Sequence, residues 1–387
     1  MKQRFGVLVG ALAVASVTWA AGQAQSPAPQ IQNGKVEVRK GTAIDREIVS
    51  LAPARADEPV WIAWRSPMIS GDRDVCSSYN DRAGFVRGMF IDEGGINIVD
   101  NVLVPNPRPQ IAPPTGPIPL EAGTQIVMLV RVVDRKVERL RIAGDDCPMD
   151  AGGRTVYWLD SITPAESLRF LGTLAAGPAP DRALVETERS IAQSAVRAIG
   201  YHRDAAADAA LDQIATSHRD ANVRRQAASS MGSQRGAPGV AALSRLIAAE
   251  RDADARRQLV TSLGGSRDAS AVPALRALMK DPEAKVRSEA VYYTVLRGGA
   301  PTIPEAVSIA GSDPDDSVRK RAVTAIGRLA PDVSTAPLIQ LARTSTNAAV
   351  RKEAVSVLST SKDPRAMAFM DELLKRESLP AARALAA

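Results

Sequence analysis

From about Asp204 onward the apolar residues return in a fixed order. Aligned on a Val-Arg step, the runs read ANVRRQAASSMG, ADARRQLVTSLG, AKVRSEAVYYTV, DSVRKRAVTAIG and AAVRKEAVSVLS. Their anchors, Val223, Ala255, Val286, Val318 and Val350, are spaced 32, 31, 32 and 32 residues apart. A degenerate copy, SIAQSAVRAIG, places Ile191 another 32 residues upstream. Counted from the anchor, apolar residues fall at steps 0, 4, 5 and 8, which is one face of a 3.6-residue helix. A second apolar segment precedes each run, as AVPALRALM (271–279), TIPEAVSIA (302–310), TAPLIQLA (335–342) and RAMAFMDELL (365–374). Pro273, Pro304 and Pro337 stand early in it, where a first helical turn tolerates proline. Asp-Pro at 281–282 and 313–314 marks the turn between the segments, here termed A and B. A period of this length predicts a solenoid of about six helix pairs over 202–387, no pair able to bury its apolar face alone.

The N-terminal half has a different rhythm. From 34 to 160, short runs of period two are separated by Gly, Pro, Asn and Asp, which predicts a β-rich domain of sandwich or barrel-like kind. KVEVR (35–39) alternates, and PVWIAWRS (59–66) puts Val60, Ile62 and Trp64 on one face with Trp61 and Ala63 on the other. FVRGMFI (85–91) is a further strand candidate and TVYWLD (155–160) closes the series. TQIVMLVRVVD and KVERLRIAG, joined near Asp134-Arg135, predict a long hairpin with one buried face. The segment 104–123 carries seven prolines, so it is extended and cannot lie mid-sheet. It is either a surface loop or a docking peptide. Thr163-Pro164-Ala165-Glu166 reads as a capping box. It opens the first of two helices that connect the halves over 161–201; Ala-Gly-Pro-Ala-Pro (176–180) separates it from a second, from about Arg182 to Tyr201.

The repeat resembles the HEAT-repeat family, in its short bacterial form similar to phycobilin-lyase-type repeats. The helix pair, the turn aspartate, the Val-Arg step and the proline position carry the resemblance over about 200 residues. It implies antiparallel helix pairs with A helices convex and B helices concave, and a protein that binds other macromolecules. It also implies a structural ladder, Arg224, Arg256, Arg287, Arg319 and Arg351, paired between neighbouring units with the turn acids Asp220, Asp252, Asp281 and Asp313.

Composition then narrows the setting. Residues 1–24 have Lys2 and Arg4, an uncharged apolar run and small residues at Gly22 and Ala24, the layout of a signal peptide cut after Ala24. The expectation is a periplasmic or secreted protein, with 25–33 a flexible lead-in and no stable membrane insertion. The formal charge of +6 falls to about +4 without Lys2 and Arg4, a mild balance. Outside the cytoplasm it points to acidic proteins or surface polyanions and not to nucleic acid. Cys76 and Cys147 are the only cysteines, and in an oxidising compartment they read as one disulfide.

No residue set spells out a reaction. The only histidines, His202 and His218, lie at helix ends and read as surface residues. With none in the β-rich half, a Ser-His-Asp or Cys-His arrangement there is excluded. DEGG (92–95) and DAGG (150–153) read as turns. Asp145, Asp146 and Asp150 read as a polar turn beside the disulfide, with a calcium site as the alternative. No cofactor or metal is assigned.

The partner-binding candidates are Arg225, Arg257, Lys320 and Lys352, one step beyond the ladder on the concave face, with Tyr292. The expectation is a non-catalytic scaffold holding a protein partner in the cell envelope. The alternatives are an envelope enzyme or enzyme subunit using the β domain, and a polyanion- or surface-glycan-binding protein.

Overall fold

A computed structural model describes residues 31–51, 59–69, 75–76, 78–81, 84–87, 89–91, 97–99, 102–104, 123–178 and 182–385. Segment 1–24, expected to be a signal peptide, residues 25–30 of the expected lead-in, DEGG (92–95) and 105–122 of the proline-rich stretch lie outside them.

The chain is a β-rich N-terminal region followed by a helical solenoid, as the two rhythms predicted. Its strands are β1 Ile31–Gln32, β2 Lys35–Arg39, β3 Val60–Pro67, β4 Ser78–Asp81, β5 Gly84–Arg87, β6 Met89–Phe90, β7 Asn97–Val99, β8 Val102–Val104, β9 Gln125–Val133, β10 Lys136–Gly144, β11 Met149–Asp150 and β12 Thr155–Leu159. One helix, α1 Ile44–Leu51, lies among them.

The main sheet is mixed, in the order β10-β9-β3-β12-β2. β10, β9 and β3 are antiparallel neighbours, whereas β12 runs parallel to both β3 and β2. A second sheet, β1-β11-β6, is parallel throughout, and β4–β5 and β7–β8 are two-stranded hairpins.

The alternation read from β3 divides two cores. Ile62 and Trp64 join Ile44, Ile126, Met128 and Val130 on the face toward the helices. Trp61 and Ala63 join Met89, Met149, Val156 and Trp158 on the other, where the small sheet lies. Cys76 and Cys147 form a disulfide at the edge of this second core.

Three details differ from the sequence reading. β9 is buried on both faces because β3 and β10 flank it and helices and the small sheet cover it. Ile31 and Gln32, expected in the lead-in, pair with Met149 and Asp150 as a strand. Asp134 and Arg135 turn the β9–β10 hairpin with φ of 46° and 59°, so a two-residue turn is made without the glycine such φ values favour.

The helices are α2 Pro164–Ala176, α3 Glu186–Tyr201, α4 Ala206–Ser217, α5 Ala221–Gln234, α6 Gly236–Ala249, α7 Ala253–Gly264, α8 Ala271–Leu278, α9 Ala284–Gly298, α10 Ile303–Ser312, α11 Asp316–Ile326, α12 Pro331–Thr344, α13 Ala348–Ser359 and α14 Pro364–Leu385. The B segments are α5, α7, α9, α11 and α13, and α3 stacks on α5 in the same way. Successive B helices pack broadly on one another while successive A helices touch at few points, so B lies on the inner side of the curve.

Val223, Val286, Val318 and Val350 are fully buried, as the step pattern requires. In α3, α5 and α7 and at the C-cap of α11 glycine follows at step nine, because the next B helix passes there. A Cβ on Gly232 would collide with the Ser262 carbonyl, and one on Gly327 with Val357. Pro337, expected in a first turn, lies inside α12 because that helix begins six residues earlier, at Pro331.

At Thr163 only half of the capping box forms. Thr163 Oγ1 accepts from Glu166 N, but the Glu166 carboxylate accepts from Ile44 N and Arg169 instead of returning to the cap. The helix start is thereby tied to α1. The second helix begins at Glu186, four residues after the expected Arg182, which instead pairs with Glu188.

The sheet and the stack meet in a buried polar seam. Trp64 Nε1 donates to Ser167 Oγ at 2.8 Å, and Ser167 Oγ lies 3.1 Å from His202 Nε2. Ile69 N donates to Tyr201 O and Arg203 N to Pro67 O, extending the contact along the backbone. Arg235 is buried beneath it, bonded to the Asp208 carboxylate and to the carbonyls of Gly200 and His202. His202 is therefore no surface residue: its relative exposure is 0%, because α3 ends against the sheet. His218 is half-buried, accepting from Asp220 N and meeting Ala175 O at 3.0 Å.

Burial pushes the His202 imidazole down to about 4, with the Asp204 charge opposing and Arg235 reinforcing. The ordinary histidine value is 6.5. The unfolded chain therefore takes up a proton at a pH where the folded one does not. This contribution is intact above the unfolded value and is lost as pH falls toward 4, by about 3 kcal/mol in all. Urea midpoints measured between pH 7 and 4 should fall accordingly, and the His202→Gln variant should lack that part of the slope.

Candidate functional site

The arginine ladder begins with a local task. Arg224 donates to the carbonyls of His218 and Arg219, Arg287 to Asp281 and Pro282, Arg319 to Asp313, and Arg351 to Ser345 and Thr346. These carbonyls end the A helix of the same unit or follow it, where the last backbone acceptors have no intrahelical donor and cations are favoured.

The link between units forms where the next turn supplies an aspartate. Arg256 pairs with Asp281, and Arg287 grips Asp313 at 2.9 and 3.0 Å. Asp313 raises the Arg287 pKa through this hydrogen bond. The other turn acids expected in the ladder are used differently. Asp252 caps α7, accepting from Ala255 N. Asp220 caps α5 and takes Arg189, because the first unit has Ala192 where the others have arginine. Arg319 instead takes Asp316 of its own helix, since Ser345 stands where a turn acid would be.

The candidate partner-binding residues lie one step farther on the inner face. Arg225 is exposed and donates to Asn222. Lys320 and Lys352 are exposed, and among the described residues neither has an ion pair. Arg257 is half-buried, 3.7 Å from Glu289 and 3.8 Å from Asp254. Glu289 also takes Arg321 at 3.2 Å, and Arg321 lies over the Tyr292 ring, 3.7 Å from its centroid. Tyr292 meets Tyr293 edge-on at 5.2 Å. On the last pair of B helices, Thr324 donates to Glu353 at 2.8 Å.

The five candidates therefore do not form one basic line. Arg257, Glu289 and Arg321 make a charge relay across α7, α9 and α11, each a repeat apart, with Tyr292 stacked against its far end. Lys320 and Lys352 continue beyond it, and Arg225 stands alone before it. Arg321 was missed by the sequence reading. It falls in the column of Gln226, Gln258, Glu289 and Glu353, and its sign, opposite to Glu289 one repeat earlier, was the available clue.

Ser167 and His202 form a hydrogen-bonded pair, but both are fully buried and His202 Nδ1 has no partner. The pair thus ties α2 to the end of α3 and, being buried, offers a substrate no approach. Asp150, considered for calcium, uses its two oxygens on Gly152 N and Asn33 Nδ2. Among the described residues no cluster of His, Cys, Asp or Glu could hold a metal ion, and no helix is long and apolar enough to cross a membrane.

Arg287→Met would leave Asp313 buried without its cation, and the expected loss is about 3 kcal/mol. Adding Asp313→Leu should restore most of it. Denaturant unfolding of the single and double variants checks this.

Residues 303–387 match the family model described as HEAT repeats. No curated protein matches the chain. Among solved structures, the complex of CpcE and CpcF of phycocyanin lyase from Nostoc sp. PCC7120 is similar at 20% identity, covering 38% of this chain and 95% of that one, with a TM-score of 0.30. Human deoxyhypusine hydroxylase in complex with glycerol is similar at 14% identity, over 54% of this chain and 90% of that one, with a TM-score of 0.31. Kap121p bound to RanGTP is similar at 12% identity, over 50% of this chain and 25% of that one, with a TM-score of 0.34. Likenesses this faint carry no argument about activity. Residues 303–387 are thus HEAT repeats, and the same helix-pair unit recurs upstream of them from α4 onward.

Proposed function

We propose that this protein is a non-catalytic scaffold that holds a protein partner against the inner, B-helix face of its stack, in the cell envelope. The observation that carries the reading is the Arg321–Tyr292 stack, fixed by Glu289 and flanked by Lys320 and Lys352. Aromatic and arginine side chains already held in place lose little freedom on binding, and they dominate the energy of protein interfaces. The two unpaired lysines beside them favour an acidic partner. The envelope setting rests on the export segment at 1–24 and on the cysteine pair.

The test is affinity capture from envelope extract, with the mature chain as bait beside the triple variant Arg225→Glu, Lys320→Glu, Lys352→Glu. Arg257 is left unchanged because it belongs to the Glu289 relay. The expected outcome is a partner held by the first bait, released as salt rises, and lost by the second. Capture of the same partner by both baits would move the function to the β-rich region. An empty capture by both would sink the scaffold reading.

A further inference from the structure

Between the second and third B-helix units the stack leaves a cavity of about 520 Å³, bounded by α4, α5, α6 and α7. Two features mark this contact, the first found at no other B-helix contact that follows and the second shared only with that of Arg319. The anchor position holds Ala255, where the units on either side have Val223 and Val286. The link between units is also open. Arg256 and Arg287 close on Asp281 and Asp313 of the following turns, but Arg224 makes no ion pair with the corresponding Glu250. Glu250 instead folds back, with one oxygen accepting from Arg251 N and Asp252 N.

The lining has two chemistries. Ala221, Ala228, Leu246, Ala249, Ala255 and Leu259 give it small and apolar walls. Arg224, Arg225 and Arg251 bring three guanidinium groups against the single carboxylate of Glu250. Among the described residues the Arg224 guanidinium bonds only backbone carbonyls, through Nη1, and that of Arg225 only Asn222. Among the described residues no hydrogen bond or ion pair engages the Arg251 guanidinium. The cavity thus has a surplus of positive charge beside an apolar pocket, within the size range of small-ligand sites.

We propose that this cavity binds an aliphatic carboxylate, its charge held by the guanidinium groups and its apolar body lying where a valine at position 255 would stand. A free fatty acid and the last residue of a polypeptide ending in leucine share this chemistry. The site shares Arg225 with the proposed partner face but not Tyr292, Lys320 or Lys352, and its test changes only Ala255 and Arg251. Small-molecule titration of these variants and partner capture can therefore fail independently.

Isothermal titration of the intact mature chain with four probes decides it. The probes are decanoate, decanol, an acetylated tripeptide ending in leucine as the free acid, and the same peptide as the amide. One acid should bind one per chain, at least about tenfold more tightly than its neutral counterpart. Binding of decanoate points to a free acid, and binding of the peptide to a chain terminus. Ala255→Val introduces the side chain that neighbouring units carry, and it should abolish binding with the melting temperature unchanged. Arg251→Ala removes a side chain with no partner to lose and should weaken binding about fivefold. The proposal fails if neither acid binds, if the neutral probes bind as well, or if both variants bind like the original chain.

Discussion

A helix pair in this chain has two apolar flanks and cannot cover both. A B helix can bury its apolar face, at steps 0, 4, 5 and 8, only when another element lies on either side of it. Between units the next pair does this. At the beginning of the stack the sheet does it, with α2 and α3 packed on the face formed by Ile62, Trp64, Met128 and Val130. One continuous core consequently runs from the sheet as far as α9, and a second continues from α9 to α14. The polar seam of Trp64, Ser167, His202 and Arg235 is embedded in the first core. The Trp64–Ser167 bond and the backbone bonds of Ile69 and Arg203 cross from sheet to stack, and His202 and Arg235 hold the helical side of the joint in place.

The periodic features of the fold were legible in the sequence because their causes are local. A buried anchor at step 0, an aspartate in the turn and a glycine at step nine each answer to a neighbour one repeat away, so they recur at the same interval. The β3 alternation was legible for the same reason, since neighbouring side chains on a strand must face opposite cores. What escaped depended on pairs far apart in sequence. His202 looks like a residue at a helix end until β3 and Met68 are brought against it. β9 looks one-sided until the small sheet covers its second face. The Thr163 capping box looks complete until Ile44 claims its glutamate.

The candidate site follows the same division. Columns of like residues on the B helices were visible from the repeat alone, including the basic step that holds Arg225, Arg257, Lys320 and Lys352. The sequence could not say which members neutralise one another. Arg257 and Arg321 share Glu289 because corresponding turns of α7, α9 and α11 are one repeat apart and lie side by side. The relay converts a presumed basic track into a fixed aromatic centre with cations on either side. It also explains why the useful surface is narrower than the number of basic residues suggests.

The glycines at step nine give the stack an orientation. Where that glycine is present, on α3, α5, α7 and α11, the B helix offers a bare patch of backbone on one flank, and the following helix presses a bulky or backbone group into it, as Ser262 does at Gly232 and Val357 at Gly327. The two flanks of a unit are therefore unlike, and units join head to tail and never back to back. A groove assembled in this way has a beginning and an end. A polypeptide lying along it would meet Arg225 first, then the Tyr292 centre, then Lys320 and Lys352, and the reversed chain would present its own residues in the wrong order. The close approach of two backbones thus becomes a rule of reading direction.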